Sequence, residues 1–509
     1  MSRVQDPVLG SVVFSDEGLV ADILKHEVFQ RTRRLAQLGP AQLVFPTAHH
    51  TRFSHSLGVY ELTRRVLGRL KTQSKNDLSQ RLQDTVEIGA LLHDVGHYPL
   101  SHCLEVAYPK PETEDGAIED FGDPIPDEGQ GALVNDLEGD WFPDPEADGG
   151  EDSTHLLQYA SDLSGTKPLV HHEQLGRVVV EAEKWELPTT LGRTKYGRLK
   201  ASEVGAVFTG DYSAPVWGAS LSRLVKSQWD TDRLDYLLRD AQTIGSTYGV
   251  VEADILIDAL VCGDHERHGR WVAFPEESLP AIDHFLFSRY FAYQGLVFHP
   301  TSCCFDVLAR AAYLAMLKRH KWLPQNGKEL YAMARGESAD FTLLDWDDSL
   351  FWSLLKSTLH RCKDAEFVEK TISEWLLQRK HPVAVISMDM CVRTPEDENH
   401  YQATRDELRA AFLKACRGAK ADRRLCFTNE ARKSLYDAKE RGWTAKKGLV
   451  QSDAILVKKR GEDVPMPLDV IKSSLVAAIA DTKFAVFRGY VPAEKADLVR
   501  SRLPEAYRL

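Results

Sequence analysis

The sequence predicts a mainly α-helical protein with a smaller α+β region at its C-terminus. Apolar residues recur at three- and four-residue spacing through residues 19–109, 170–185, 221–241 and 279–320, a pattern typical of helices with one buried face. Runs rich in β-branched and aromatic residues at 383–388, 454–457 and 484–491 instead indicate strands. The length of 509 residues allows roughly two to four domains with ample apolar core.

The predicted elements divide the chain into three parts. Residues 1–310 are helical, apart from one short predicted strand at 268–274, and form the first predicted domain. Residues 311–380 continue as a helical extension. Residues 381–509 contain the three predicted strands with helices between them, and we expect them to form the α+β region.

The net charge of −12 is unevenly distributed. Sixteen acidic residues and one lysine, Lys110, fall between residues 109 and 152, which leaves 62 basic and 59 acidic residues in the rest of the chain. An acidic stretch with so few apolar residues cannot offset its ordering entropy, and we expect a mobile insert. The overall acidity disfavours nucleic acids and anionic membranes as partners, although the nearly neutral body leaves room for a cationic pocket.

The remaining composition predicts a soluble cytoplasmic protein. The 8 cysteines are scattered without a C-x-x-C pair, which favours reduced thiols and argues against a zinc knuckle. The first residues lack an apolar segment of signal-peptide length, and no apolar run approaches the roughly 20 residues that span a bilayer. We therefore expect no membrane partner.

Histidine and aspartate residues mark several of the predicted helices. His93 and Asp94 end an apolar helix, where an ionisable pair is costly to bury unless a cation compensates its charge. His55 and Asp232 each stand near the start of another predicted helix, so the four side chains could meet at one point. Two histidines and two carboxylates suit a divalent metal ion, and Mn, Fe, Mg, Zn and Ni are all compatible with them.

The order of these motifs resembles the HD-domain metal-dependent phosphohydrolases, and within them the dNTP triphosphohydrolases. The resemblance rests on residues 6–10, 29–39 and 44–58, on the segment from Leu92 to His102, and on the strings that begin at His172, Asp232 and Ser288. It implies an HD-domain helical core. It also implies one-step hydrolysis of a dNTP to a deoxynucleoside and inorganic triphosphate, in nucleotide homeostasis or phage defence.

The resemblance further implies roles for individual residues. The metal ligands would be His55, His93, Asp94 and Asp232. The catalytic histidine would be His172, supported by His97 and Glu105. The substrate would contact Arg52, Arg233 and Arg289 through its triphosphate, Gln37 and Asp240 through the sugar 3′-hydroxyl, and Leu38 and Tyr236 at the 2′ position, where these two would favour deoxyribose.

Regulation and assembly are also implied by the resemblance. The chain has Lys25-His26 and His299-Pro300 where effector-binding members have an acidic residue and a His-Lys pair, but it keeps Gln30 and Arg33. A nucleotide effector is therefore left open, and we expect a homo-oligomer, either a dimer or a tetramer. Two alternatives also stay open: a phosphohydrolase that acts on another nucleotide or on nucleic acid, and a nucleotide-binding regulatory scaffold.

Overall fold

The computed structural model describes residues 2–15, 17–74, 77–110, 156–163, 169–193, 197–265, 269–338, 341–436, 453–480 and 482–509. Nearly all of the predicted acidic insert at 109–152 lies outside these residues. The prediction that this stretch is mobile is therefore untested.

The N-terminal part is helical after a short hairpin. Strands β1 (Ser2–Asp6) and β2 (Gly10–Phe14) pair antiparallel. The helices that follow are α1 (Leu19–Lys25), α2 (Glu27–Arg31), α3 (Arg52–Gln73), α4 (Gln80–Leu92), α5 (Leu156–Asp162), α6 (His172–Glu181), α7 (Leu187–Leu191), α8 (Ala201–Thr209), α9 (Thr231–Ile244) and α10 (Ala253–Ala259). The hairpin was not predicted from the sequence, because its two strands are only five residues each and alternate weakly.

The second half combines long helices with short strands. Strands β3 (Val261–His265) and β4 (Gly269–Pro275) precede the helices α11 (Leu279–Ala292), α12 (Pro300–Arg319), α13 (Gly327–Arg335), α14 (Asp348–His360) and α15 (Phe367–Gln378). The last elements are β5 (Val383–Val392), α16 (Pro395–Gly418), β6 (Phe427–Ser434), β7 (Leu456–Lys458), β8 (Met466–Pro467), α17 (Leu475–Ala478), β9 (Lys483–Val491) and α18 (Ala496–Arg500). This content confirms the predicted mainly α fold with a smaller C-terminal α+β region.

Two sheets organise the C-terminal region. Strand β9 lies between β5 and β6 and pairs antiparallel with both. Strand β7 joins β4 in parallel and pairs antiparallel with β8. The chain after residue 453 therefore returns to the N-terminal part and extends the hairpin of β3 and β4.

Several helix ends follow from local sequence. The side chain of Asp230 accepts a hydrogen bond from the Arg233 backbone and caps the start of α9, and Gly245 ends this helix with a φ of 74°. Helix α16 begins with a capping box between Thr394 and Asp397. The cap by Asp230 fixes where α9 starts, and so places Asp232 in the first turn of this helix.

One continuous apolar core runs through most of the molecule, and a second lies in the C-terminal region. The first core includes side chains from α3, α4, α8, α9 and α12. The second lies between β5, β9, α16 and α18. Helix α12 (Pro300–Arg319) continues across residue 310, where the first predicted domain ends. The division into three domains stays a prediction. Among the described residues, no helix is long and apolar enough to cross a membrane.

Candidate active site

Three helices bring the four predicted metal ligands together. His55 lies in the first turn of α3, Asp232 lies in the first turn of α9, and His93 and Asp94 follow the end of α4 directly. Helix α3 packs against both α4 and α9, so these three helix ends meet at one place.

The ligand atoms of these residues face one another. The two Nε2 atoms of His55 and His93 are 3.3 Å apart. Asp94 Oδ1 lies 3.4 Å from His93 Nε2, and Asp232 Oδ1 lies 2.8 Å from His55 Nε2 and 3.7 Å from His93 Nε2. Ligand atoms of His55, His93 and Asp94 all lie within 4.8 Å of one another, and the Asp232 oxygen joins this set through its contacts with both imidazoles.

The opposite nitrogens of the two imidazoles are held by hydrogen bonds. His55 Nδ1 lies 2.8 Å from Asp235 Oδ2, and His93 Nδ1 lies 2.8 Å from the Ala90 carbonyl oxygen. When each Nδ1 donates, each Nε2 is left with a lone pair for a metal ion, the usual arrangement of metal-binding histidines. Burial lowers the pKa of His55, but Asp232 and Asp235 raise it to about 10, so in the metal-free protein these carboxylates favour a cation at this point.

One oxygen in the ligand set lacks a partner. Asp94 Oδ2 accepts a hydrogen bond from Arg52 Nη1 at 2.9 Å, whereas the buried Asp94 Oδ1 has no hydrogen-bond partner among the described residues. Burial favours the neutral carboxyl, but the charges of Arg52 and His93 hold the pKa of Asp94 well below its usual range. An ionised, unpaired oxygen that faces two imidazoles fits a divalent cation.

A second group of histidines lies beside the ligand set. The rings of His97 and His172 stack with centroids 4.2 Å apart, and His102 lies 4.7 Å and 5.0 Å from them. Their ring nitrogens are also close enough to hold a metal ion. His172 Nε2 lies 3.8 Å from Asp94 Oδ1, so this group borders the first one.

Glu105 connects the histidines of this second group. Its Oε1 accepts a hydrogen bond from the His172 backbone N–H at 2.7 Å, and its Oε2 lies 2.9 Å from His102 Nδ1. Burial raises the pKa of Glu105, but its hydrogen bonds with His102, His171 and His172 hold it well below its usual range. Burial lowers the pKa of His172, but Glu173 and Glu105 raise it to about 9.

Gly96 allows α6 to approach the turn that follows His93 and Asp94. A Cβ atom on Gly96 would lie 2.3 Å from the His172 carbonyl oxygen and 2.1 Å from the Gly176 nitrogen. Because only glycine fits this contact, Gly96 is required to bring His172 next to Asp94.

A cavity of about 400 Å³ opens at the ligand set. Small-molecule sites have volumes of roughly 300–1,000 Å³, so a nucleotide-sized ligand is a reasonable occupant. Eight of the predicted site residues line its wall, namely Gln37, Leu38, Arg52, Asp94, His172, Asp232, Tyr236 and Asp240. Asp232, Tyr236 and Asp240 recur at four-residue spacing on α9, so one face of this helix forms part of the wall.

The other predicted residues do not line the cavity. His55, His93, His97 and Glu105 are buried and are not among the residues that line it. Arg289 is buried and donates hydrogen bonds to Gln228 and to the Leu435 carbonyl oxygen, and Arg233 Nε donates to the Ser227 carbonyl oxygen at 2.6 Å. Burial and the nearby charge of Arg233 lower the pKa of Arg289, so the two cations are neighbours outside the cavity wall.

Three residues that contact the site were not among the predicted site residues. Asp235 holds His55, His50 Nε2 lies 2.7 Å from Asp240 Oδ1, and His102 completes the second histidine group. The spacing of Asp235, three residues after Asp232 on a helix, could have indicated its position.

Comparisons with known proteins agree with this geometry. Residues 52–125 match the HD domain family. An uncharacterized protein of Mycoplasma genitalium is 27% identical over 293 residues, which cover 57% of this chain and 55% of the relative. The matched chain therefore spans about half of that relative's length.

A shorter match and a solved structure add to this result. The deoxynucleoside triphosphate triphosphohydrolase SAMHD1 homolog of Dictyostelium discoideum is 40% identical over 103 residues, which are 20% of each chain. The crystal structure of a phosphohydrolase from Bacteroides thetaiotaomicron has the same fold with a TM-score of 0.62 and 20% identity, over 96% of this chain and 99% of that chain. Residues 52–125 of this chain therefore contain an HD domain, and the chain as a whole shares its fold with a solved phosphohydrolase.

Proposed function

We propose that this protein is a metal-dependent hydrolase that converts dNTPs to deoxynucleosides and inorganic triphosphate. The observation that carries the proposal is the convergence of His55, His93, Asp94 and Asp232 beside a nucleotide-sized cavity, whose wall includes the two aspartates. The partial match to a named dNTP triphosphohydrolase supports the choice of substrate.

The four ligands would hold one divalent cation. When bound, such a cation lowers the pKa of a water molecule and withdraws electron density from a phosphoryl group. Arg52 contacts Asp94 and also lines the cavity, so its guanidinium can offset negative charge on a phosphate beside the ligand set.

His172 is the group best placed to move a proton. It lines the cavity, and Glu105 holds its backbone while a weak contact joins Glu105 Oε1 to His172 Nδ1 at 3.4 Å. A histidine held by a carboxylate can donate a proton to a leaving oxygen. His97 stacks on its ring and limits its rotation.

We assign another part of the cavity wall to the deoxyribose. We propose that the Gln37 amide and the Asp240 carboxylate contact the 3′-hydroxyl. Gln37 Oε1 is buried without a hydrogen-bond partner among the described residues, so it is available to a ligand. Leu38 and Tyr236 would leave little room for a 2′-hydroxyl.

The position of two arginines favours one alternative. We expected Arg233 and Arg289 to hold the triphosphate, but both use their guanidinium groups on neighbouring protein atoms outside the cavity wall. A cavity with Arg52 as its one lining arginine among the described residues also suits a substrate with fewer phosphates. A nucleoside monophosphate or another phosphoester is therefore the second candidate.

Product analysis separates these candidates. The purified protein would be incubated with Mn²⁺ and each dNTP, NTP and nucleoside monophosphate, singly and in mixtures, and the products resolved by ion-exchange chromatography. We expect inorganic triphosphate from dNTPs, lost in His93→Ala and Asp94→Ala and kept in the control His284→Ala, because His284 is exposed on α11. Release of pyrophosphate or orthophosphate, or turnover of monophosphates alone, would contradict the proposal.

A further inference from the structure

Two loops meet directly beside the cavity. Gly39 has a φ of +50°, and a Cβ atom on it would lie 2.3 Å from the Leu100 carbonyl oxygen. Leu100 and Ser101 have φ values of 52° and 62°, a left-handed conformation that costs a residue other than glycine about 1–2 kcal/mol. Surrounding contacts must therefore hold the loop of residues 98–101 in this shape.

The carboxylate of Asp348 supplies such a contact to both loops. Its Oδ1 accepts a hydrogen bond from the Leu100 N–H at 2.7 Å, and its Oδ2 accepts one from the Ala36 N–H at 2.9 Å. Asp348 is buried and begins α14, more than 200 residues after both loops. It comes from the helical extension to which our sequence analysis gave no role in the site.

The residues before Asp348 contact the same region. The Trp346 carbonyl oxygen accepts hydrogen bonds from the buried Arg31, whose other donors reach the carbonyl oxygens of Val95 and His97 at 3.2 Å and 2.8 Å. The start of α14 is therefore joined to the turn that follows the metal ligands, as well as to the two loops.

The two loops in turn hold residues of the cavity wall. The Ser101 hydroxyl accepts a hydrogen bond from Arg52 and donates one to the Gln37 carbonyl oxygen at 2.9 Å. Gln37 and Leu38 directly follow Ala36, and both line the cavity together with Leu100. The Asp348 carboxylate thus holds both sides of the wall segment that we assign to the sugar.

We propose that Asp348 is a positioning residue that sets discrimination between deoxyribose and ribose by holding the segment of Gln37 and Leu38 against the loop of residues 98–101. The inference rests on the proposed dNTP hydrolysis. Asp348 does not line the cavity, so it acts through the backbone of Ala36 and Leu100. Two carboxylate oxygens match the two N–H donors, whereas an asparagine would turn its NH₂ group toward one of them.

The test compares hydrolysis by Asp348→Asn of two substrates, the dNTP that the wild type hydrolyses fastest in the product analysis above and the NTP with the same base. The ratio of kcat/KM for the two substrates does not depend on the fraction of active enzyme, so a simple loss of folded protein leaves it unchanged. We expect the preference for the dNTP to fall at least tenfold, with a higher KM for the dNTP. Ser101→Ala, which removes the contact to Gln37 without touching Asp348, should shift the ratio in the same direction.

Asp347→Asn is the matched control. Asp347 caps the same helix through the N–H groups of Ser349 and Leu350 and pairs with Arg34, but it makes no hydrogen bond to either loop. Its substitution should destabilise the start of α14 and leave the ratio unchanged. An unchanged ratio in both Asp348→Asn and Ser101→Ala overturns the inference. If the wild-type protein hydrolyses no dNTP, the proposed function itself fails and the inference falls with it.

Discussion

The substitution Asp235→Asn tests whether the carboxylate beneath His55 sets metal affinity. Asp235 is fully buried and receives hydrogen bonds at 2.8 Å from His55 Nδ1 and at 2.7 Å and 2.9 Å from Arg239. Asparagine keeps the size of the side chain but removes its charge and one acceptor. His55 then loses the charged partner that directs its Nε2 lone pair toward the ligand set.

The expected magnitude follows from these contacts. Loss of such a partner behind a metal-binding histidine lowers metal affinity by about 10- to 100-fold, or about 1.4–2.7 kcal/mol. Arg239 keeps a second carboxylate, Asp6 Oδ2 at 2.8 Å, so the buried guanidinium is only partly uncompensated. We therefore expect a loss of unfolding free energy of about 2–3 kcal/mol, below that of a fully broken buried ion pair.

Calorimetric titration of Mn²⁺ into the metal-depleted protein measures the affinity, and thermal unfolding measures the stability. Gly58→Ala provides an independent variant, because its new Cβ would lie 1.8 Å from Asp235 Oδ1 and displace the carboxylate without removing its charge. Gly68→Ala on the same helix is the control, since a Cβ there meets no atom within 4 Å. Wild-type Mn²⁺ affinity in a folded Asp235→Asn variant would refute the reasoning.

Three further predictions concern other parts of the site and core. Gly96→Ala should abolish hydrolysis and lower the midpoint of thermal unfolding, because its Cβ would collide with the His172 carbonyl oxygen. Gly68→Ala should do neither. A folded, active Gly96→Ala enzyme would contradict this prediction. Glu105→Gln should lower kcat by about 100-fold in steady-state assays while Mn²⁺ affinity is retained, because Glu105 accepts a hydrogen bond from His172 and not from the metal ligands. An equal loss of Mn²⁺ affinity would count against this prediction. Burial and nearby Asp84 raise the pKa of Glu87 from 4.5 to about 7, so the wild type should lose stability as pH rises between these values. Glu87→Gln should then be more stable than the wild type by about 1–2 kcal/mol at pH 8 and equal to it near pH 4, as measured by chemical unfolding; a gain at both pH values would be inconsistent with this cause.

The residues with a clear local signal could be predicted from the sequence. His93 and Asp94 end an apolar helix, and Asp232 follows a capping residue, so helix periodicity alone placed these ligands near helix ends. The resemblance to HD-domain proteins then grouped them with His55. The HD domain match includes three of the four ligands.

Other features depend on contacts between distant segments. The contact of Asp348 with Leu100 joins residues 248 positions apart, and no periodicity in the sequence connects them. The left-handed conformation of Leu100 and Ser101 could not be predicted, because neither residue is a glycine. Arg289 was predicted to bind phosphate, but its burial requires nearby acceptors, and Gln228 and Leu435 provide them.

Anomalous diffraction from crystals grown with Mn²⁺ and a non-hydrolysable dNTP analogue tests the central claim most directly. We predict an anomalous peak bounded by His55, His93, Asp94 and Asp232, with the α-phosphate of the analogue beside it and its sugar next to Leu38. Manganese held only by the second histidine group, or an analogue bound outside the cavity, would contradict the account.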